Sequence, residues 1–264
     1  MLWPRPPTFA FATALAGLPC CAVLPPPASP FSAGTVEVDG RTFPYRLLEP
    51  DRGLEGDPGQ GRLPLVVFLH GAGERGTDNE RQLTWLPSVL AAAENRRRFP
   101  CFLLAVQCSS DMSWVAVPWA ERESQPMPEQ PTPAMRAVIL AMREILTTRP
   151  VDGDRVYLTG LSVGGYGCWD LAMRMPQRFA AIVPVCGGGD ARRAERLRSV
   201  PIWIWHGSDD RTVPVEQSRA MVEALGGPGD LVRYTELEGV GHDSWKRAYG
   251  PGGALAWMFA QRRR

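Results

Sequence analysis

Gly160-Leu161-Ser162-Val163-Gly164 is the stretch from which this chain is best read. Arg155-Val156-Tyr157-Leu158-Thr159, just before it, is rich in β-branched and apolar residues and reads as a short buried strand. Residues 166–175, after it, read as a helix. A serine on a sharp strand-to-helix turn carries its hydroxyl clear of the sheet. The flanking glycines suit such a turn, because a Cβ would clash there. The pentapeptide is therefore a candidate nucleophile elbow, and it has chemical meaning only if a base, an acid and anion-stabilising donors occur elsewhere.

Outward from the elbow, strand and helix patterns alternate from residue 63 onward. Strands are expected over 65–69, 102–106, 156–159, 180–185, 201–205 and 231–237. Helices are expected over 81–93, 133–147, 191–198, 215–225 and 253–261, with Thr132 capping the second and Pro133 in its first turn. Continuous apolar strands between helices argue an α/β fold, with a mostly parallel central sheet and helices on both faces. Residues 35–49 differ. Two short runs joined at Asp39-Gly40 predict an N-terminal antiparallel hairpin at the sheet edge. Trp203 and Trp205 alternate with isoleucines in a strand and are expected in the core. Residues 109–131 form the one long irregular connection, with Trp114, Trp119 and four prolines. It leaves the C-terminal end of a strand, where open parallel sheets bind ligands. A functional loop and a plain surface excursion are both open readings of it.

The chain has 264 residues, 44% of them hydrophobic, enough for a sizeable core. Its 29 Lys and Arg against 28 Asp and Glu give no electrostatic reason to expect a nucleic-acid partner. Arg96-Arg97-Arg98 and Arg262-Arg263-Arg264 extend into no basic stripe and read as solvated ends. At the N-terminus, Arg5 precedes an apolar stretch over 9–18 and then Cys20-Cys21-Ala22. The stretch is too short for a stable membrane span. Residues 1–33 thus read as an export signal, or as a disordered proline-rich extension, ahead of one domain over 34–264. The first reading places the protein in the periplasm or outside the cell, the second in the cytoplasm. Pro19 before Cys20 fits a lipidation site poorly. Six cysteines in this length make no disulfide framework. Cys101 and Cys108 flank a strand and would sit about 23 Å apart, beyond disulfide reach. Cys168 and Cys186 read as small core residues.

A serine hydroxyl needs a base, and there are three histidines to choose from. His70 and His206 each end a strand, whereas His242 lies in a loop after the last one. Elbows of this form run serine, acid, histidine along the chain, which selects His242 and leaves His70 and His206 as loop-bonding residues. The acid belongs in the loop after the strand at 201–205, where Asp209 and Asp210 are adjacent; spacing does not separate them. Asp243, next to the base in sequence, is read as structural. Two backbone donors are needed for the developing oxyanion. Val163 N–H, directly after the serine, is one; Ala72 N–H, in the glycine-rich His70-Gly71-Ala72-Gly73 turn, is the other. Trp114 and Trp245 are candidate substrate-binding residues, with core packing as the alternative for each. No metal-ligand spacing, dinucleotide fingerprint or phosphate loop is visible, so no cofactor or metal is expected. Gly187-Gly188-Gly189 reads as a turn.

With these residues placed, the chain from about Leu63 to its C-terminus resembles α/β-hydrolases of the carboxylesterase and predicted-peptidase group. That group is close to phospholipase/carboxylesterase, dienelactone hydrolase and polyhydroxybutyrate-depolymerase-like esterases. The matching stretches are Phe68-Leu69-His70-Gly71-Ala72-Gly73-Glu74-Arg75-Gly76, Gly160-Leu161-Ser162-Val163-Gly164-Gly165-Tyr166-Gly167, Cys186-Gly187-Gly188-Gly189-Asp190 and Gly241-His242-Asp243-Ser244-Trp245. The resemblance implies Ser162 as nucleophile, Asp210 as acid and His242 as base. Val163 departs from the methionine common at that position, where the backbone alone is essential. The expected activity is cleavage of a small-molecule carboxylic ester through an acyl-enzyme. A serine peptidase of the prolyl-oligopeptidase type is the second reading, and a non-catalytic binding module on the same scaffold the third. Nothing in the sequence fixes the oligomeric state.

Overall fold

A computed structural model describes Met1, residues 29–51 and residues 61–263. The stretch read as an export signal or extension therefore lies outside the described residues up to residue 28. Eight strands form one sheet: β1 (Phe31–Val38), β2 (Arg41–Leu48), β3 (Leu63–Leu69), β4 (Phe102–Val106), β5 (Val151–Leu161), β6 (Ala181–Val185), β7 (Ile202–Gly207) and β8 (Val232–Leu237). Their order is β1-β2-β4-β3-β5-β6-β7-β8. The β1–β2 and β2–β4 pairs are antiparallel and the other pairs parallel. This is the α/β-hydrolase fold.

Strand periodicity explains the two-sided core. Successive side chains of a strand point to opposite faces. In β3, Leu65, Val67 and Leu69 enter one apolar cluster while Val66 and Phe68 enter the other. Helices α1 (Leu86–Ala91) and α2 (Ala93–Arg98) follow β3, and α1 covers the Val66 face with Leu86 and Leu90. Helices α3 (Pro133–Thr148) and α4 (Val163–Arg174) cover the Leu65 face. Thr132 caps α3 as expected, its Oγ1 accepting from Met135 N–H at 3.1 Å. Helix α5 (Glu216–Ala224) adds Met221 and Val222 to the Leu65 face; α6 (Trp245–Ala248) and α7 (Leu255–Phe259) close the other. Among the described residues, no helix is long and apolar enough to cross a membrane.

Several boundaries differ from the sequence reading. The edge hairpin begins at Phe31, ahead of residues 34 and 35, because Phe31 pairs with Leu48 and buries its ring. The helix expected over 81–93 is instead a 3₁₀ turn, Arg81–Leu83, followed by α1. Pro87 falls in the first turn of α1, and the extended backbone of Ala92 separates α1 from α2. Residues Ala191–Leu197 form a 3₁₀ rather than an α segment, started by the Asp190 carboxylate accepting Arg192 N–H. Cys101, Cys108, Cys168 and Cys186 are free and buried, consistent with their reading as unpaired.

The loop over 109–131 is tied down along its length. Tyr166 Oη donates to Trp119 O at 3.0 Å, and Gln217 Nε2 donates to Glu121 O and Glu123 O at 2.6 and 2.8 Å. Ser124 Oγ donates to Gly189 O at 2.7 Å, and Arg174 to Pro128 O and Glu129 O.

The elbow joins β5 to α4. Ser162 has φ 57° and ψ −123°, a sparsely populated conformation that costs about 1–3 kcal/mol and persists only when its surroundings impose it. The imposing contacts are visible at the glycines. A Cβ on Gly160 would lie 2.2 Å from Gly164 O, and one on Gly164 would lie 2.0 Å from Leu69 O. Both obstacles are backbone and cannot swing away. Gly164→Ala is therefore expected to destabilise by about 3 kcal/mol or more. Gly73→Ala, with nothing within 4 Å of the added Cβ, should change stability by less than about 1 kcal/mol. Urea unfolding of the two variants measures the contrast; equal midpoints would contradict this account of the turn.

Candidate active site

Three loops at the C-terminal ends of the parallel strands bring the predicted side chains together. Ser162 stands at the end of β5, and its N–H donates to Val185 O of β6 at 3.0 Å. Asp210 lies in the loop after β7 and His242 in the loop after β8. Those two loops are cross-tied: Ser208 N–H donates to Leu237 O and Asp209 N–H to Val240 O, both at 3.0 Å. His242 Nε2 is 2.9 Å from Ser162 Oγ, and His242 Nδ1 is 2.7 Å from Asp210 Oδ2. The adjacent Asp209 points away, its Oδ1 accepting from Ser208 Oγ at 2.8 Å. Asp243 faces solvent and pairs with Lys246.

The Asp210 carboxylate is buried and fully bonded. Its Oδ1 accepts from Thr212 N–H at 2.9 Å and Val213 N–H at 3.0 Å. Burial by itself would raise its pKa. Hydrogen bonds from His206, His242 and the Val213 N–H outweigh that and hold the carboxyl far below the usual carboxylate range. An ionised Asp210 fixes the proton of His242 on Nδ1, leaving the Nε2 lone pair to face the serine hydroxyl.

Two N–H groups open the helical turns that follow Ser162 and the His70-Gly71 pair. Val163 is the first residue of α4, and Ala72 opens the 3₁₀ turn Ala72–Glu74; first-turn N–H groups have no partner within their own helix. Among the described residues, neither N–H has a hydrogen-bond partner. The two turns pack closely, since a Cβ on Gly71 would lie 2.7 Å from Leu161 Cδ1. The Val163 side chain is buried in the core, so its departure from methionine leaves the donor in place.

His70 braces the Ala72 turn from beneath. Its Nδ1–H donates to Gly71 O at 2.7 Å, and its Nε2 accepts Cys108 N–H at 3.0 Å, so the ring is neutral. Burial pushes its pKa down to about 4. Arg75 donates to Ala72 O at 3.1 Å and Met112 O at 3.0 Å.

The two tryptophans proposed for substrate binding part company. Trp114 is 1% exposed, its Nε1–H donates to His70 O at 2.8 Å, and its ring meets His70 edge-on. It supports the turn from inside and does not line an open pocket. The sequence left this open because the contact joins residues 44 positions apart. Trp245 is half-buried beside the base, its ring 5.2 Å from that of His242 and nearly perpendicular to it. Trp85 packs on Trp245 at 5.4 Å and donates from Nε1 to Glu74 Oε1 at 3.1 Å.

Cys186 was read as a core residue and is one, yet its backbone is strained, with φ 39°. Its Sγ, Asp210 and His242 bring potential ligand atoms within 4.8 Å of one another. Burial pushes the Cys186 thiol well above its ordinary range, and the facing His242 and Asp210 atoms are bonded to each other.

No family model matches the chain. Over 204 residues it is 28% identical to a protein of Oryza sativa subsp. japonica named "probable inactive carboxylesterase", with 70% of this chain and 82% of that protein aligned. It is 32% identical over 123 residues to the poly(3-hydroxyoctanoate) depolymerase of Pseudomonas fluorescens, 42% of each chain being aligned. Among solved structures it is similar to a thermostable esterase, with 42% identity and a TM-score of 0.78 over 89% of this chain and 64% of that one. A puromycin hydrolase shares the fold at 17% identity and a TM-score of 0.60, over 83% of this chain and 37% of that one. The chain thus spans less than two thirds of the depolymerase and of the thermostable esterase.

Proposed function

We propose that this chain, an α/β-hydrolase related to esterases, is a serine hydrolase that cleaves small carboxylic esters through an acyl-enzyme. The observation that carries the reading is the unbroken row from Ser162 Oγ through His242 to Asp210, with contacts of 2.9 and 2.7 Å. Ser162 Oγ attacks the carbonyl carbon while its proton passes to His242 Nε2. Asp210 stabilises the resulting imidazolium without taking the proton. Negative charge on the former carbonyl oxygen is met by the Ala72 and Val163 N–H groups, each worth about 2.7–4 kcal/mol of barrier. Collapse breaks the ester C–O bond, and the alcohol leaves with the proton from His242. Water then repeats the sequence, releasing the acid and restoring Ser162.

The His242 side chain is 22% exposed, so the base opens to solvent beside the buried Ser162. Trp245 and its neighbour Trp85 supply an apolar wall beside the base for one side of the substrate. Comparing hydrolysis of p-nitrophenyl acetate and butyrate with that of a proline p-nitroanilide tests the reading. The esters should turn over at least about a hundred-fold faster than the anilide in kcat/KM, a gap of about 2.7 kcal/mol. A preference for the anilide would select the peptidase reading instead. Export accompanies the proposal, and the N-terminus of the mature protein tests it.

A further inference from the structure

We propose that His206 is a positioning residue that shares the Asp210 carboxylate with His242 and, through it, sets the pH at which the base becomes competent. The inference rests on the catalytic reading of Ser162, Asp210 and His242. His206 ends β7 and is fully buried. Its Nε2 lies 3.0 Å from Val213 O and 3.3 Å from Asp210 Oδ2, the same oxygen that His242 Nδ1 contacts. Both neighbours of Nε2 are acceptors, so Nε2 carries a proton. On the other side of the ring, Nδ1 is 2.7 Å from Ser218 Oγ, which also lies 3.1 Å from Gly187 O. Where the single Ser218 hydroxyl proton turns to Nδ1 rather than to Gly187 O, the buried Ser218 of α5 selects the tautomer with the proton on Nε2.

His242 Nδ1–H thus bonds that oxygen directly, while His206 Nε2–H, bonded to Val213 O, makes a second, longer contact with it at 3.3 Å. A second N–H beside the same Asp210 oxygen spreads its charge and moderates its pull on a proton at His242. Other ionisable groups around this pair are few. Glu236 of β8 stands opposite His206 in the sheet register, and Tyr166 of α4 and Cys186 after β6 face Asp210. Asp243 lies next to His242.

The test uses two substitutions that differ in where they place a donor. Glutamine carries its amide nitrogen the same number of bonds from Cα as His206 Nε2; asparagine stops one bond short. His206→Asn should shift the acid limb of the kcat/KM profile for p-nitrophenyl acetate upward by about 0.5–1 pH unit. His206→Gln should leave that limb within about 0.3 unit of the parent, a change of about 0.4 kcal/mol. Ser218→Ala, which releases the tautomer, should shift it in the same direction as asparagine and serves if His206→Asn does not fold. In ¹⁵N-histidine-labelled protein, the ring N–H signal between His242 and Asp210 should move to lower field in His206→Asn or Ser218→Ala and not in His206→Gln. A merely structural histidine would lower stability in both variants and move neither readout selectively. Limbs and resonances that stay in place, or that move alike in His206→Asn and His206→Gln, overturn the inference. If the parent protein shows no ester turnover, the catalytic reading fails, and the resonance shifts still decide whether His206 shares the carboxylate.

Discussion

Ser162→Ala is expected to lower kcat for ester hydrolysis by about a million-fold, with the protein still folded. The size follows from geometry. Among the described residues, Ser162 Oγ is the side-chain oxygen in contact with His242 Nε2, so its loss removes the covalent route and leaves no substitute at that point. KM should change little, because the Ala72 and Val163 donors and the Trp245 wall are untouched. The residual rate should still exceed the uncatalysed one by about 10³–10⁴, since backbone donors and binding continue to act. Alanine can occupy the strained turn no more easily than serine, so the unfolding midpoint should stay near that of the parent. Full-time-course assays with a titrated active-site inhibitor separate this residual rate from traces of unmodified enzyme. A drop of less than about a hundred-fold would mean that another group does the attacking.

Asp210→Asn is expected to cost about 10⁴ in kcat. An amide in place of the carboxylate presents a donor or a weaker acceptor to His242 Nδ1, and the imidazole then turns its proton toward the serine. The same change also meets His206 Nε2–H, which faces the shared oxygen at 3.3 Å, so the variant should lose stability as well. Asp209→Asn is the matched control. Its carboxylate bonds Ser208 Oγ at the surface, and kcat should remain within about twofold of the parent. The pair of variants settles the roles of two adjacent aspartates by a contrast of thousands. Equal losses, or a larger loss at Asp209, would contradict the geometry. The low pKa of Asp210 also predicts a sign for stability. A carboxyl held below its unfolded value adds stability that is present above about pH 4 and is lost as pH falls toward its folded value. Asp210→Asn should therefore flatten the fall in unfolding midpoint below pH 4.

The parts legible in the sequence were those carried by local chemistry. β3 and the second half of β5, from Val156, are largely apolar runs that suit a strand buried on both faces, and their ends place His70 and Ser162 on one edge of the sheet. Gly160 and Gly164 were readable because steric exclusion at a tight turn admits glycine. The scarcity of histidine, with chain order, pointed to His242. The illegible parts depend on contacts far apart in sequence. Trp114 in a proline-rich loop could line a pocket or fill the core, and only the placement of His70 O decides for the core. Asp209 and Asp210 are equivalent by spacing and were separated by resemblance; in the fold, the N–H groups of Thr212 and Val213 capture Asp210 and turn it inward. The continuous helix expected over 81–93 failed because periodicity does not register the non-helical backbone at Trp85 or the extended one at Ala92. His206 bonds loop backbone at Val213 O, as its strand-end position suggested. The second contact, to Asp210, carried no sequence signal, because the residue four positions on is brought back by the turn after β7.

Ser162 acting as a nucleophile activated by His242 is the step on which the proposed hydrolysis depends. Treating the folded protein with a fluorophosphonate and locating the adduct by peptide mass spectrometry tests it most directly. One phosphonyl group per chain is expected, on the peptide containing Gly160-Leu161-Ser162-Val163-Gly164, and none in Ser162→Ala or His242→Ala. Folded parent protein that takes up no label, or takes it at a different serine, would contradict it.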